Sequence, residues 1–396
     1  MDKEKFNNSV KYLFILSQIF GLTPISPFIK KYKQHENLKV KCLYFAWSVF
    51  WILLMTVLGF YVTHVLRDMF IEGPLKLRMI MCISYNAMFL SSVVFLINNI
   101  AKRKNFPKIM NTFWKVDNTL MPRCGVQVYD KDKLCSIKYI TVVCLLYIAL
   151  NVSVCVAFGS TAIYSITFNF TANLPFLISG IVSIHFNTLV KKLNERLRMI
   201  NNIIENYRKH HKSKFPKSKT SRRYIKIVED ISAVSVIRQL EQIQLIQSVY
   251  IDLYKTKELI NTTYGIPIVL QIITCYLLSV STVFDGIAIA SKGTDVLKAI
   301  ADVFELTYVF VLLAWILLNC HQTSDETGKI TSNVQKLIVR CNLPQYIQHE
   351  SNICLSMMRD MPLEFTPCGL VTLNLPFLCS TVGVIFTYVV VMAQMN

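Results

Sequence analysis

Almost all basic residues in this chain fall in alternate gaps between its apolar runs. Seven runs are long enough, at about 20 residues, to cross the hydrocarbon core of a bilayer: Val40–Val65, Met79–Ile100, Ile137–Phe158, Ile163–Val190, Thr262–Ala290, Ala299–Asn319 and Val371–Ala393. Of the 42 Lys and Arg residues, 37 lie in the first, third, fifth and seventh gaps and 5 in the others. The fifth gap holds 16 of them, yet the asymmetry is still 21 to 5 without it. Basic residues stay on the cytoplasmic face of an inserted protein. The pattern therefore predicts an all-α membrane protein of seven transmembrane helices, with the N-terminus cytoplasmic and the C-terminus extracellular. That orientation is the reverse of a G-protein-coupled receptor. There is also no Asp-Arg-Tyr after the third run and no Asn-Pro-x-x-Tyr in the seventh, so no G protein partner is expected.

With 53% hydrophobic residues and a mean hydropathy of +0.42, the 396-residue chain is too apolar for a soluble domain. The net charge of +18 alone could suggest nucleic acid. Only Asp68, Glu72, Asp285, Asp295, Asp302 and Glu305 fall on the expected outer side, leaving that face near −1 and the inner face near +19. A basic inner face suits anionic membrane lipid, and no nucleic-acid partner is needed. None of the twelve cysteines lies in an expected outer loop, so no extracellular disulfide framework is implied.

Six segments follow. Residues 1–39 form a cytoplasmic lead-in with a short amphipathic or re-entrant helix, in a stretch broken by Gly21, Pro24 and Pro27. Residues 40–190 hold helices one to four and 191–261 a cytoplasmic extension. Residues 262–320 hold helices five and six, 321–370 further cytoplasmic helices, and 371–396 the last helix. Pro175 and Pro267 fall inside the fourth and fifth runs, where neighbouring helices can satisfy the freed carbonyls. Helical character continues over Asn187–His210, Tyr224–Asn261, Asp325–Arg340 and Tyr346–Arg359. The apolar stripes of these stretches would otherwise face water, so they are expected to pack together as a helical base. His211 to Arg223 reads as a solvated basic linker. No internal repeat supports an inverted-repeat transporter.

Enzyme signatures do not appear. The twelve glycines never form Gly-x-Gly, and no Cys-x-x-Cys or His-Glu-x-x-His occurs, so no catalytic residue, metal or cofactor is expected. His185, near the inner end of the fourth run, reads as a hydrogen-bonded helix residue. Polar residues inside apolar runs are the better lead, because they are costly in lipid. In the outer halves these are Tyr85, Asn86, Asn151, Tyr164, Asn169, Asn173, Ser281, Thr282, Asp285, Asp302, Glu305 and Tyr308. One reading is helix–helix hydrogen bonding. The other is an outward-facing small-molecule pocket built from Tyr85, Asn86, Asn151, Asn169, Asn173, Asp285, Asp302, Glu305 and Tyr308, in which Asp302 or Glu305 attracts a cationic group.

The most specific stretch is the tail. Thr387 and Tyr388 are followed by five apolar residues, Val389 to Ala393, then Gln394 and Met395. Thr387 and Gln394 are seven apart, two helical turns, and so share a face. This closely resembles the gustatory receptor branch of the insect chemoreceptor superfamily, whose last helix carries Thr-Tyr, five hydrophobic residues, then Gln-Phe; Met395 stands where the family has Phe. The phrase from Phe365 and Thr366 through Gly369 to Leu373 and Asn374, and the stretch Leu13 to Pro24, also look like that family.

The resemblance implies a ligand-gated, non-selective cation channel in the plasma membrane of gustatory neurons, expected in their dendrites. It implies a homo- or hetero-tetramer whose last helices line a shared pore, with Thr387, Tyr388, Val391, Gln394 and Met395 at the pore and gate, and a small tastant as ligand. The sugar-receptor subgroup places Glu after Thr-Tyr, and this chain has Val389. A bitter-type receptor for plant compounds is the expectation; the alternatives are a fructose-type receptor and a small-molecule transporter.

Overall fold

The structure is a computed structural model, and it describes residues 11–22, 38–69, 75–124, 129–157, 163–213, 225–292, 296–340 and 344–394. Most of the linker from His211 to Arg223, and Met395, lie outside these residues. Ten α-helices follow in order: α1 (Lys11–Ile19), α2 (Leu38–Met69), α3 (Leu75–Ala101), α4 (Asn105–Cys124), α5 (Tyr129–Ala157), α6 (Ile163–Ser213), α7 (Ile225–Lys292), α8 (Val296–Arg340), α9 (Gln345–Asp360) and α10 (Leu375–Gln394). A 3₁₀ turn, Pro367–Gly369, precedes the last. Among the described residues, six helices are long and apolar enough to cross a membrane: α2, α3, α5, α6, α7 and α8. The seventh, α10, has a shorter described apolar stretch, Leu375–Tyr388.

Helix α6 is the central post. Its apolar window is 83% buried, against 17% for α5, so α5 lies at the edge and α6 touches protein nearly all round. Pro175 and Pro267 sit inside continuous helices. Helices α6, α7 and α8 run on without a break past their apolar spans, and there they pack with α4 and α9 into a helical base. Apolar positions Ile200, Ile204, Ile243, Ile246, Val249 and Leu253, which would face water on isolated helices, are buried in that base.

Helix α4 was not among the expected elements. Phe106, Ile109, Met110, Phe113, Val116 and Leu120 recur at three- and four-residue spacing and face the core. The segment is too polar and too short in apolar residues to read as a span. On the same helix Asp117 meets Arg196 of α6 in a fork-to-fork pair, Nε to Oδ1 at 2.9 Å and Nη2 to Oδ2 at 2.6 Å. Both side chains are within 1% of full burial. The Arg196 guanidinium also lies 5.2 Å from the Phe113 ring. Such a pair survives in a dry interior only because the bidentate geometry and the extra bond from Arg196 Nη1 to Lys192 O replace lost water.

His185 is hydrogen-bonded, as expected from its place on α6. Its Nε2 meets the Ser17 hydroxyl of α1, with Phe14 and Phe106 against the ring. The lead-in helix is thereby tied to the central post.

Candidate functional site

The residues expected in one outward pocket fall into separate groups. Tyr85 on α3, Asp285 on α7, and Asp302 and Glu305 on α8 converge closely enough to interact electrostatically. Asp302 and Glu305 are three apart and share a helix face. Asp285 and Glu305 are buried, while Asp302 is half-buried. Three carboxylates brought together away from bulk water repel one another, and a cation relieves that repulsion.

The asparagines behave differently. Asn173 of α6 donates to Asn151 of α5 at 3.3 Å, Asn151 donates to Tyr147 O at 2.8 Å, and Asn169 faces Cys155. They stitch α5 to α6. Asn86 is exposed, accepts from Thr63 of α2 at 2.8 Å and donates to Cys82 O. One residue along from Tyr85, it is turned about 100° away from the carboxylates.

Tyr308 belongs to a third place. It lines a mid-span cavity of about 20 Å³ between α3, α6, α7 and α8, whose polar groups also include Ser91, Ser92, Ser179, Gln271 and Thr274. Tyr308 Oη donates to Phe176 O at 2.8 Å. The bond is close because Gly180 has no side chain; a Cβ there would stand 2.5 Å from Tyr308 Oη and 2.7 Å from Val143. Gln271 donates to Ser183 at 2.8 Å, and Thr274 turns its hydroxyl to Leu270 O. The five residues besides Tyr308 were not singled out from the sequence. Their signal was a polar group deep in an apolar run, away from its outer half.

The cavity and the carboxylates share one column. Tyr85 and Ser92 are seven residues apart on α3, as are Leu278 and Asp285 on α7, whereas Glu305 and Tyr308 on α8 are three apart, so the two places lie one to two turns, roughly 5 to 10 Å, apart. About 20 Å³ holds a water and no more. An organic ligand needs roughly 300 Å³ or above, so binding one requires α3, α6, α7 and α8 to separate.

The pore-motif residues lie on an open helix. Thr387 turns its hydroxyl to Gly383 O at 2.9 Å. Phe386, Tyr388 and Val391 are 68%, 57% and 45% exposed, and Gln394 is exposed too. The other face of α10, with Thr381 and Ile385, packs toward α7 and α8.

The segment leading into α10 is fastened to α7. Tyr250 Oη donates to Met361 O at 2.8 Å, and Asn261 Nδ2 donates to Thr366 O at 3.0 Å. Gly265 lets the 3₁₀ turn approach, since a Cβ there would be 3.2 Å from Cys368 N. Cys368 and Gly369 both have positive φ, 53° and 70°, an arrangement that suits glycine at the second position. Phe365 is buried against Phe186 of α6, and Asn374 Oδ1 caps the first turn of α10 by accepting from Phe377 N.

Among the described residues, no group of three or more His, Cys, Asp or Glu side chains is arranged to hold a metal ion. Comparison with known proteins gives three findings. The family described as 7tm Chemosensory receptor matches residues 10–396. Two solved structures of the insect olfactory receptor OR5 from Machilis hrabei, one in complex with eugenol, align over 98% of both chains with a TM-score of 0.66 and 16% identity. No curated protein sequence gives a significant match.

Proposed function

The chain belongs to the 7tm chemosensory receptor family, and we propose that within it this protein is a gustatory receptor: a ligand-gated, non-selective cation channel opened by a small tastant, of bitter type. The observation that carries the channel reading is α10. It is apolar over Leu375–Tyr388 and leaves Phe386, Tyr388 and Val391 uncovered, although its other face is packed. Four copies placed around one axis would cover those side chains and set Thr387 and Gln394, two turns apart on one face, along a water-filled path.

In this reading the base and N-terminus are cytoplasmic and the carboxylate cluster is at the outer mouth. A tastant passes Tyr85, Asp285, Asp302 and Glu305 and lodges among α3, α6, α7 and α8. Tyr308 and Gln271 supply its polar contacts there. The Machilis receptor solved with eugenol supports a small organic ligand for this fold. Helix α7 carries the signal onward, because the same unbroken helix that lines the cavity at Gln271 holds Gly265 and Asn261, where the lead into α10 is fastened.

Patch-clamp recording from cells expressing this chain tests the reading. Tastant-evoked cation current should persist when G-protein signalling is blocked, and Gln394→Cys should make conductance sensitive to an aqueous thiol reagent. Ligand uptake without current would replace the channel by a transporter.

A further inference from the structure

We propose that α7 contains a hinge at Thr263–Pro267, and that Asn98 of α3 is the latch holding it straight until a ligand parts the two helices. Pro267 has no N–H, so the carbonyl four residues earlier, Thr263 O, loses the donor that a continuous helix would give it. Asn98 fills the gap. Its Nδ2 donates to Thr263 O at 2.7 Å, from one helix to the other. Both residues are buried, at 7% and 4% exposure, so bulk water is not at hand if the amide withdraws.

The Thr263 hydroxyl is committed elsewhere: it donates to Leu259 O at 2.6 Å and accepts from Asn105 Nδ2 of α4 at 3.0 Å. A second contact between α3 and α7, Ser84 Oγ to Leu277 O at 3.1 Å, is of another kind. Ser84 also donates to Ile80 O, and no proline frees the Leu277 carbonyl. Only the bond from Asn98 mends a breach in the helix it reaches.

Position makes the latch a relay. The cavity wall on α3 ends at Phe95, and Asn98 follows three residues later on the same face. On α7, Gln271 of the cavity lies four residues after Pro267, about one turn. Thr263 sits between Asn261 and Gly265, which fasten the lead into α10. The proline thus stands between the cavity and the fastening. Admitting an organic ligand separates α3 from α7, and that withdraws the Asn98 amide. A helix short of a bond beside proline bends there. The half bearing Asn261 and Gly265 then turns against the half bearing Gln271, and the lead into α10 moves with it. This gating role rests on the channel reading; the hinge itself does not.

Three variants test it. Asn98→Leu removes the latch, Pro267→Ala returns a backbone donor to Thr263 O, and the double variant does both. Single-channel recording without ligand should show basal open probability raised about tenfold by Asn98→Leu, the weight of one ordinary buried hydrogen bond. The double variant should fall back to the wild-type value or below. Open probability is counted per channel, so poor folding alone does not move it. Wild-type basal opening in Asn98→Leu, or a rise that Pro267→Ala does not reverse, would overturn the proposal. Hydrogen exchange of the purified receptor gives a reading that needs no current. The Leu370 and Leu373 amides, bonded within the lead at 3.1 and 2.9 Å, should exchange faster in Asn98→Leu and regain wild-type protection in the double variant. Unchanged exchange in the lead refutes the hinge. The expected exchange pattern in a chain that passes no current would keep the hinge and remove the channel reading. Should Asn98→Leu not fold, Pro267→Ala alone decides: the lead should exchange more slowly than in the wild type, and equal rates overturn the proposal.

Discussion

Asn319 on α8 donates its amide to Asn187 on α6 at 2.7 Å, and fourteen residues further along both helices Asn333 donates to Asn201 at 2.6 Å. Fourteen residues are two heptads, so the two pairs mark one seam between helices that run the same way. Midway, Asn194 and Glu326 are also buried, and Arg198 reaches Glu326 at 3.4 Å. A polar layer in an apolar seam fixes register, because any axial slip breaks both amide pairs at once. Replacing Asn319 by Leu strands the Asn187 amide and should cost about 1–3 kcal/mol. The Asn187→Leu/Asn319→Leu pair should recover part of that. Thermal unfolding of the four proteins of this cycle reads the coupling; strictly additive losses would mean that the amides do not act together.

The buried ion pair in the base should behave more severely. Arg196→Met leaves Asp117 charged and enclosed, and the expected loss is about 3–5 kcal/mol, seen as poor expression and a lower melting temperature. Adding Asp117→Leu should restore much of the stability. A double variant as unstable as Arg196→Met would assign the loss to packing against Phe113.

At the mid-span cavity, Gly180→Ala should drive the Tyr308 hydroxyl from its place, because the new methyl group needs the space now 2.5 Å from that oxygen. On the proposed function, tastant sensitivity should fall by about tenfold or more, in proportion to a lost hydrogen bond. Tyr308→Phe together with Val143→Ala removes both atoms that the new methyl group meets, so adding Gly180→Ala to that pair should make it no worse than the pair alone. Dose–response curves for the three variants decide it.

On the channel reading, the fastening of α10 to α7 predicts an effect on gating without one on assembly of the proposed tetramer. Asn261→Ala removes the bond to Thr366, and Gly265→Val pushes on the Cys368 turn. Both should change basal open probability while tetramer yield stays constant. An unchanged basal current in both would uncouple this contact from the pore.

In the base, burial pushes the Cys354 thiol up to about 12, and nearby Glu350 adds to it. The folded protein holds that proton more tightly than the unfolded chain. The stabilising contribution is therefore full below about 9 and declines as pH rises toward 12. At pH 8 Cys354 should resist maleimide while the exposed Cys368 reacts. Peptide mapping after labelling reads the difference.

Much of the architecture was written in apolar run length alone: the spans on α2, α3 and α5 to α8 need no tertiary information. Helix α4 was hidden because its apolar residues form a stripe in a polar segment, and Asp117 gave no sign of a partner 79 residues away. The candidate site was only partly legible. That Tyr85, Asp285, Asp302 and Glu305 belong to one place followed from similar depth. Depth does not specify which way a side chain points, so Asn86 could not be told from Tyr85, nor the α5–α6 asparagines from pocket residues. Ser91, Gln271 and Thr274 lie deeper than the outer halves of their apolar runs, where an outward-facing pocket is expected.

Helix α7 is 68 residues of unbroken helix, roughly 100 Å long. It bears the cavity wall at Gln271, the anchor of the last helix at Asn261 and the floor of the base at Tyr250. On the channel reading, a substitution on its cavity face changes recognition and gating together. The wall on α3 carries no such second duty, whereas α6 meets the lead into α10 at Phe186. New ligand preferences should therefore arise first by change on α3, with α7 left to drift least, and a receptor of this build can be retuned without rebuilding its gate.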